Sequence, residues 1–122
     1  MDAYAQLAEI AKALAHPVRL QILDVLRGDE ACVCHLEAVL GQRQAYISQQ
    51  LARLREAGLV VDRRDGLNVF YALAGESVAT LLDAMHAATA SVSGEALRLP
   101  PYAAPASCTC PKCVEKRPIQ IA

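Results

Sequence analysis

Hydrophobic residues recur every three or four positions along most of the first 95 residues, which is the spacing of one face of an α-helix. These stripes predict four long helices and a shorter one that ends near Leu40. The long segments are Ala3–Leu14, Val18–Arg27, Gln44–Ala57 and Glu76–Ser91. His16-Pro17 separates the first two, because the residue before a proline avoids the helical region. Gly41 and Gly58 follow the last apolar residues of their helices, as C-cap glycines do.

Between Gly58 and the last predicted helix, the hydrophobic period shortens to about two residues, which indicates short strands. Segments Leu59–Arg64 and Leu67–Leu73 flank Asp65-Gly66, a dipeptide that favours a type I′ hairpin turn. The alternation in the second strand assigns one side to the core, formed by Leu67, Val69, Tyr71 and Leu73. Two short helices joined by a turn and followed by a hairpin are typical of a winged helix-turn-helix. The predicted fold is mainly α with a small β-hairpin wing, in the order helix, helix, helix, recognition helix, strand, strand, helix.

The chain has 122 residues, of which 54% are hydrophobic, and this suits one aliphatic core with a short tail. After residue 95 the composition changes, and prolines and alanines lead to a cysteine-rich end. We therefore predict a winged helix-turn-helix domain for DNA binding and dimerisation over residues 1–95, and a linker and tail over residues 96–122. The first residues lack a signal-peptide pattern, and no run of about 18 apolar residues is present. We expect a cytoplasmic protein.

The predicted recognition helix and wing carry side chains suited to DNA, although the net charge of the whole chain is only −1. Residues 41–65 contain five arginines and three acidic residues, so the local balance is positive. Glutamine can read adenine in the major groove, and arginine can bind guanine or phosphates. The predicted DNA contacts of the helix are Arg43, Gln44, Tyr46, Ser48, Gln49 and Arg53, and those of the wing are Arg63, Arg64 and Asn68.

A solvated helix with glutamine and arginine on its wet face is the alternative explanation for the recognition helix alone. The hairpin directly after it favours DNA binding. A single module of this kind buries only about 600–1,000 Å² on DNA, so we expect a homodimer on double-stranded operator DNA. The alanine-rich first helix and the apolar last helix offer spare surfaces for dimerisation. We do not expect an enzyme, because no Ser/His/Asp or carboxylate pair and no phosphate-binding glycine loop stands out.

The five cysteines fall into two groups, Cys32 and Cys34 before the recognition helix and Cys108, Cys110 and Cys113 in the tail. In a reducing compartment such groups are metal ligands or redox sensors rather than a disulfide framework. Residues i and i+2 diverge by about 200° in a helix but point the same way in extended chain. Cys32 and Cys34 can therefore share an ion only where the helix is unwound. Sulfur ligands select arsenite, Cd(II), Pb(II), Hg(II) or tetrahedral Zn(II).

Other interpretations of these residues stay open on the sequence. The cysteines could form reversible disulfides in a redox or persulfide sensor, the tail could be a structural zinc knuckle, and the first pair could simply be buried. Asp83 and His86, three residues apart on the last helix, could form half of a metal site. We interpret His35 as a surface or capping group and His16 as structural.

Four segments are similar to those of known repressors: Leu14–Leu23, Cys32–Leu36, Ile47–Leu51 and Leu54–Val60. Through them the chain resembles the ArsR/SmtB family of metal-responsive repressors from about Ala13 to Leu73. The resemblance implies a homodimer joined by its first and last helices, operator binding in the ion-free form, and derepression when an ion binds.

The chain departs from the family's usual effector sites. Glu37 stands where the arsenite-sensing pattern has a third cysteine, and Arg43 stands where a serine usually caps the recognition helix. The zinc site usual on the last helix lacks its second half. We therefore expect Cys32 and Cys34 to take further thiolates from the tail of the same or the partner protomer. Three thiolates suit arsenite, which we favour, and four suit Cd(II), Pb(II) or Zn(II). The predicted function is a metal(loid)-responsive repressor that leaves its operator when such an ion binds.

Overall fold

The computed structural model describes residues 2–94, which form five helices and one antiparallel hairpin. The elements are α1 (Ala3–Leu14), α2 (Pro17–Gly28), α3 (Val33–Leu40), α4 (Gln44–Glu56), β1 (Val60–Asp65), β2 (Asn68–Leu73) and α5 (Glu76–Ser93). All predicted helices are present, and their ends differ from the prediction by at most two residues. The predicted linker and tail, with Cys108, Cys110 and Cys113, lie outside the described residues. Within residues 2–94, no helix has the length and apolar character that a membrane span requires.

Local hydrogen bonds explain where the first two helices begin. Asp2 caps α1, because its carboxylate accepts a hydrogen bond from the Ala5 amide at 2.7 Å. His16 Nδ1 accepts a hydrogen bond from the Val18 amide at 3.2 Å and caps α2 in the same way. Pro17, which has no amide donor, occupies the first turn of α2. His16 therefore has the structural role that the sequence predicts.

The turn between α3 and α4 depends on Gly41. This residue has φ 63°, a left-handed conformation that costs glycine little because it has no Cβ. Its amide donates a hydrogen bond to the Glu37 carbonyl oxygen at 2.8 Å and closes the last turn of α3. Helix α4 begins three residues later, so α3 and α4 form a helix-turn-helix.

One aliphatic core joins the elements. Helix α2 lies at its centre, since it contacts α1, α3, α4, α5 and β2. The fully buried aliphatic side chains are Ile22, Leu23, Leu36, Ile47, Leu51, Leu54, Val60 and Leu82. Three of these belong to α4, so close packing against the core sets the orientation of the predicted recognition helix.

The wing hairpin differs from the predicted one by one residue. Asp65 pairs with Asn68, so the turn consists of Gly66 and Leu67 rather than of Asp65 and Gly66. Gly66 has φ 62° at the first turn position, which is where a type II′ turn places glycine. A type I′ turn would require positive φ at Leu67 as well, and a branched side chain disfavours that. Leu67 is therefore fully exposed at the wing tip, and its predicted place on the buried side is wrong.

The buried faces of β2 also differ from the prediction. Phe70, on the side predicted to face away from the core, keeps only 1% of its surface exposed. It lies opposite Arg63, whose guanidinium carbon is 4.9 Å from the ring centroid in a cation–π geometry. Tyr71 and Leu73 pack against the main core from the other side, as predicted. Strand β2 is thus covered on both sides, which alternation alone does not reveal.

Candidate nucleic-acid interface and thiol site

Helix α4 has an apolar face toward the core and a polar face toward solvent. Ile47, Leu51 and Leu54 are fully buried on the inner face. The predicted DNA contacts that are exposed around the rest of the helix are Gln44, Ser48, Gln49 and Arg53. Arg43 is the N-cap residue and is also exposed, but its side chain makes no capping hydrogen bond. The first turn of α4 therefore lacks the side-chain cap that a serine would supply.

Tyr46 differs from the other predicted contacts of α4. It is half-buried, and its hydroxyl lies 3.3 Å from His16 Nε2, with the two ring centroids 6.4 Å apart. Since His16 caps α2, this contact ties the first turn of α4 to the start of α2. The tyrosine hydroxyl therefore has a partner within the fold.

Arg19 is a positioning residue that the sequence reasoning did not identify. Its guanidinium donates hydrogen bonds to the carbonyl oxygens of Ala13 and Lys12, at 2.6 and 3.1 Å, at the end of α1. A third hydrogen bond, of 3.0 Å, runs to the Gln50 side-chain oxygen on the buried face of α4. Arg19 thus satisfies carbonyls at the end of one helix and a buried amide of another. In the sequence, Arg19 stands out only as the one charged residue of α2 before Asp24, which does not indicate its partners.

The two neighbouring arginines of the wing have different surroundings. Arg63 donates hydrogen bonds to both carboxylate oxygens of Glu30, at 2.5 and 3.1 Å, and it covers Phe70. The hydrogen bond with Glu30 raises the pKa of the Arg63 guanidinium. Arg64 is exposed and forms no ion pair with any residue that the structure describes. Asn68 is half-buried.

The thiols of Cys32 and Cys34, called the thiol pair below, converge at the start of α3. Their sulfur atoms lie 2.7 Å apart. Cys32 is the N-cap residue, with φ −82° and ψ 167°, whereas Cys34 belongs to the first helical turn. The extended backbone at Cys32 thus meets the condition that the sequence sets for two thiols to share an ion. Cys32 is buried and Cys34 is half-buried.

A backbone bridge accounts for the extended conformation before α3. Ala31 and Tyr71 exchange two hydrogen bonds, of 2.9 and 2.8 Å, in an isolated antiparallel bridge. Ala31 has no exposed surface. Because this residue is paired as part of a strand, the helix begins only at Val33, and Cys32 stays outside it.

The thiol pair supplies only part of a metal-ligand set. Among residues 2–94, no group of three or more His, Cys, Asp or Glu side chains is arranged to hold a metal ion. His35, next in the chain, is buried with 4% of its surface exposed, so its interpretation as a surface or capping group is wrong. Further sulfur ligands from Cys108, Cys110 or Cys113 stay a prediction.

Asp83 and His86 make contacts with α2 rather than with each other. Asp83 accepts a hydrogen bond from the Arg27 guanidinium in an ion pair. His86 Nε2 lies 2.8 Å from both carboxylate oxygens of Asp24. The two side chains therefore hold α5 against α2. The pair that the sequence offers as half of a metal site thus has a structural role.

Apolar surface is exposed on the first and last helices. Tyr4 and Leu7, one turn apart on α1, are 85% and 62% exposed, and Val92 near the end of α5 is 89% exposed. Exposed alanines surround them on both helices. These are the surfaces from which the sequence predicts dimerisation.

Comparison with known proteins agrees with this architecture. The sequence profile of the family described as "Bacterial regulatory protein, arsR family" matches residues 16–61. The biofilm growth-associated repressor of Agrobacterium fabrum is 45% identical over 82 residues, which are 67% of this chain and 70% of that protein.

Two solved structures superpose on most of the chain. Rv0081 of Mycobacterium tuberculosis has a TM-score of 0.72 and 37% identity, covering 77% of this chain and 95% of its own. The homodimeric winged helix-turn-helix domain of a possible ArsR-family regulator from Mycobacterium bovis has a TM-score of 0.70 and 34% identity. The match covers 78% of this chain and 89% of that domain. The predicted winged helix-turn-helix is thereby confirmed, and the chain belongs to the ArsR/SmtB family, whose members are transcriptional regulators and not enzymes.

Proposed function

We propose that this protein is a cytoplasmic repressor that binds operator DNA as a homodimer and releases it when a thiophilic ion binds the thiol pair. The convergence of the two sulfurs at the start of α3, the first helix of the helix-turn-helix, carries the proposal. We favour arsenite as the ion, with Cd(II), Pb(II) and Zn(II) as the other candidates. The relevant unit comprises the domain over residues 1–95 and the tail over residues 96–122.

The exposed face of α4 supports the DNA-binding part of the proposal. Gln44, Ser48 and Gln49 surround the start of the helix, where recognition helices reach base edges. Arg43, at the uncapped N-terminus, stands where phosphates bind helix amides. Arg53 and the exposed Arg64 add charge that can pair with the DNA backbone.

Exposed apolar surface supports the dimer. A related domain from Mycobacterium bovis is homodimeric, and Leu7 and Val92 here expose apolar area on α1 and α5. Two recognition helices about 34 Å apart would bind half-sites one helical turn apart. This arrangement raises the buried DNA area above the roughly 600–1,000 Å² of one module.

The environment of the thiol pair supports ion binding. The N-terminus of a helix favours thiolate over thiol, and thiolate is the form that binds soft ions. Since two sulfurs are too few, we assign the remaining ligands to Cys108, Cys110 or Cys113 of the same or the partner subunit. The 14 residue steps from Gly94 to Cys108 can span up to about 46 Å when extended.

A titration tests this proposal on the full chain. A labelled duplex, selected by the ion-free protein from a random-sequence pool, is followed by fluorescence anisotropy during addition of arsenite, Cd(II), Pb(II) or Zn(II). We expect at least one of these ions to weaken DNA binding by about tenfold or more. Mg(II), which prefers oxygen ligands, is the control and should have no effect. If none of the four ions weakens binding to this extent, the proposed function is wrong.

A thiol-redox repressor is the second candidate, and the same short distance between the sulfurs favours it. Hydrogen peroxide would oxidise one thiolate to a sulfenic acid with release of hydroxide. The neighbouring thiol would then displace water from that sulfenic acid and form a disulfide. Mass spectrometry after peroxide treatment should then show the loss of two hydrogen atoms, reversed by dithiothreitol. DNA release by peroxide but by none of the ions would favour this candidate.

The two wing arginines lead to a prediction about salt dependence. Arg64→Gln should reduce the slope of log K for DNA binding against log salt concentration by about 0.9, because one phosphate contact is lost. Arg63→Gln should leave this slope unchanged, since its guanidinium is bound to Glu30. Anisotropy titrations at several KCl concentrations measure both slopes. Equal slope changes in the two variants would contradict the assignment.

A further inference from the structure

We propose that Glu30–Cys32, the coupling strand, transmits ion binding from the thiol pair to the wing, with Glu30 as its positioning residue. This inference rests on the proposed function and concerns how the ion signal reaches DNA. It predicts that ion binding acts first on the wing rather than on the recognition helix.

The first link is the backbone of the coupling strand. Ala31, directly before Cys32, is held to Tyr71 of β2 by two hydrogen bonds and is completely buried. This isolated bridge places the coupling strand beside β2, on the side away from β1. Backbone movement at Cys32 therefore acts on β2, because backbone pairs in a buried bridge have no water to replace a lost partner.

The second link is the Glu30 side chain. Its carboxylate binds the Arg63 guanidinium through both oxygens, and only 21% of the Glu30 side chain is exposed. Paired hydrogen bonds of this kind fix direction as well as distance. Because Arg63 belongs to β1 and stacks on Phe70 of β2, one carboxylate contacts both strands of the wing through a single arginine. The next residue along β1 is Arg64, to which we assign a phosphate contact.

The third link is the geometry that a shared ion imposes on the thiol pair. A tetrahedral zinc site with Zn–S bonds of about 2.3 Å separates its sulfurs by about 3.8 Å, and larger ions require more. Free thiols at these positions are not bonded to each other, whereas an ion bound by both fixes their separation and direction. Cys34 lies within α3, whereas Cys32 lies outside it in extended conformation. The constraint that the ion imposes therefore acts on the coupling strand, which is attached to the wing.

The test compares Glu30→Gln with a matched control that also removes one carboxylate from an arginine. The control is Asp62→Asn, whose carboxylate pairs with Arg55 at 3.5 Å rather than with Arg63. Cd(II) is the probe. Its binding is measured by the ultraviolet charge-transfer absorbance of Cd–thiolate bonds, and its effect on DNA is measured by anisotropy with the selected duplex. Hydrogen exchange at the Tyr71 amide reports the backbone bridge directly.

We expect Cd(II) to bind all three proteins and to weaken DNA binding by about tenfold or more in the wild type and in Asp62→Asn. In Glu30→Gln the effect should fall to about threefold or less, although Cd(II) still binds. Arg63→Gln should behave like Glu30→Gln. In the wild type, Cd(II) should accelerate exchange at Tyr71.

The two proposals fail in different ways. A full tenfold release in both Glu30→Gln and Arg63→Gln overturns the coupling strand and leaves the proposed function intact. A wild type that releases DNA with none of the four ions overturns the proposed function. If Cd(II) still binds that protein, faster exchange at the Tyr71 amide supports the link between the thiol pair and the wing, and unchanged exchange refutes it. A wild type that binds no thiophilic ion refutes both.

Discussion

Replacement of Cys34 by serine is expected to abolish the release of DNA by arsenite or Cd(II), while the ion-free protein still binds its operator. The sulfur of Cys34 lies 2.7 Å from that of Cys32, and a hydroxyl oxygen is a poor ligand for a soft ion. Because Cys34 is only half-buried, the hydroxyl can reach water without a large loss of stability. Cys32 is the less suitable position for this substitution. It is buried, and a serine there would bury a hydroxyl group and lower the stability of the domain.

Serine variants of the tail serve as the comparison. If Cys110 supplies a further ligand, Cys110→Ser should reduce the ion response as Cys34→Ser does, and the double variant should add little, because both remove the same site. Anisotropy measures DNA release, and the unfolding midpoint in urea verifies that each variant is folded. If Cys34→Ser responds like the wild type while the tail binds zinc permanently, the tail is a structural zinc knuckle and the thiol pair is not the sensor.

The largest effect on stability is expected for Leu51→Ala, which should lower the free energy of unfolding by about 2–5 kcal/mol. Leu51 has no exposed surface and belongs to the core that holds α4 against the rest of the domain. Its truncation removes apolar contacts and leaves a cavity that the surrounding helices fill only partly. Since small domains are stable by only about 5–15 kcal/mol, this loss is a large share of the stability of the domain.

Leu67→Ala is the matched control, because it removes the same atoms from a fully exposed leucine at the wing tip. Its effect on unfolding should stay within about 0.5 kcal/mol. Urea titrations monitored by circular dichroism measure the free energy of unfolding of both variants. The comparison requires that this free energy falls with urea concentration at the same slope in each. Similar losses for Leu51→Ala and Leu67→Ala would contradict the assignment of these two leucines to core and surface.

The hydrophobic pattern predicted the elements more accurately than it predicted the hairpin. A helix end depends on neighbours within one turn, so Pro17 and Gly41 marked their boundaries in the sequence alone. The hairpin register depends on which residue accepts a positive φ. Asp65-Gly66 and Gly66-Leu67 are both compatible with the flanking strands, and the observed pairing selects the second. That one-residue difference moved Leu67 from the core to the wing tip.

The candidate site was predictable where its chemistry is local. Polar residues at helical spacing identified the outer face of α4, and two cysteines separated by one residue identified the thiol pair. The role of Arg19 was not predictable, because its partner Gln50 lies 31 positions away. Likewise, nothing near Asp83 and His86 in the sequence shows that both contact α2.

The sequence by itself determined the helices, the wing, the family and the soft-ligand character of the cysteines, because these follow from periodicity, turn residues and side-chain chemistry. Only the tertiary structure decided which side chains already have hydrogen-bond or ion-pair partners within the protein. Arg63 and Arg64 are chemically identical neighbours, yet Glu30, 33 positions away, binds only the first. The thiols of Cys32 and Cys34 converge because Tyr71, which is 40 residues beyond Ala31, holds that segment extended. Contacts between distant segments arise from packing, and no local pattern in the chain encodes them.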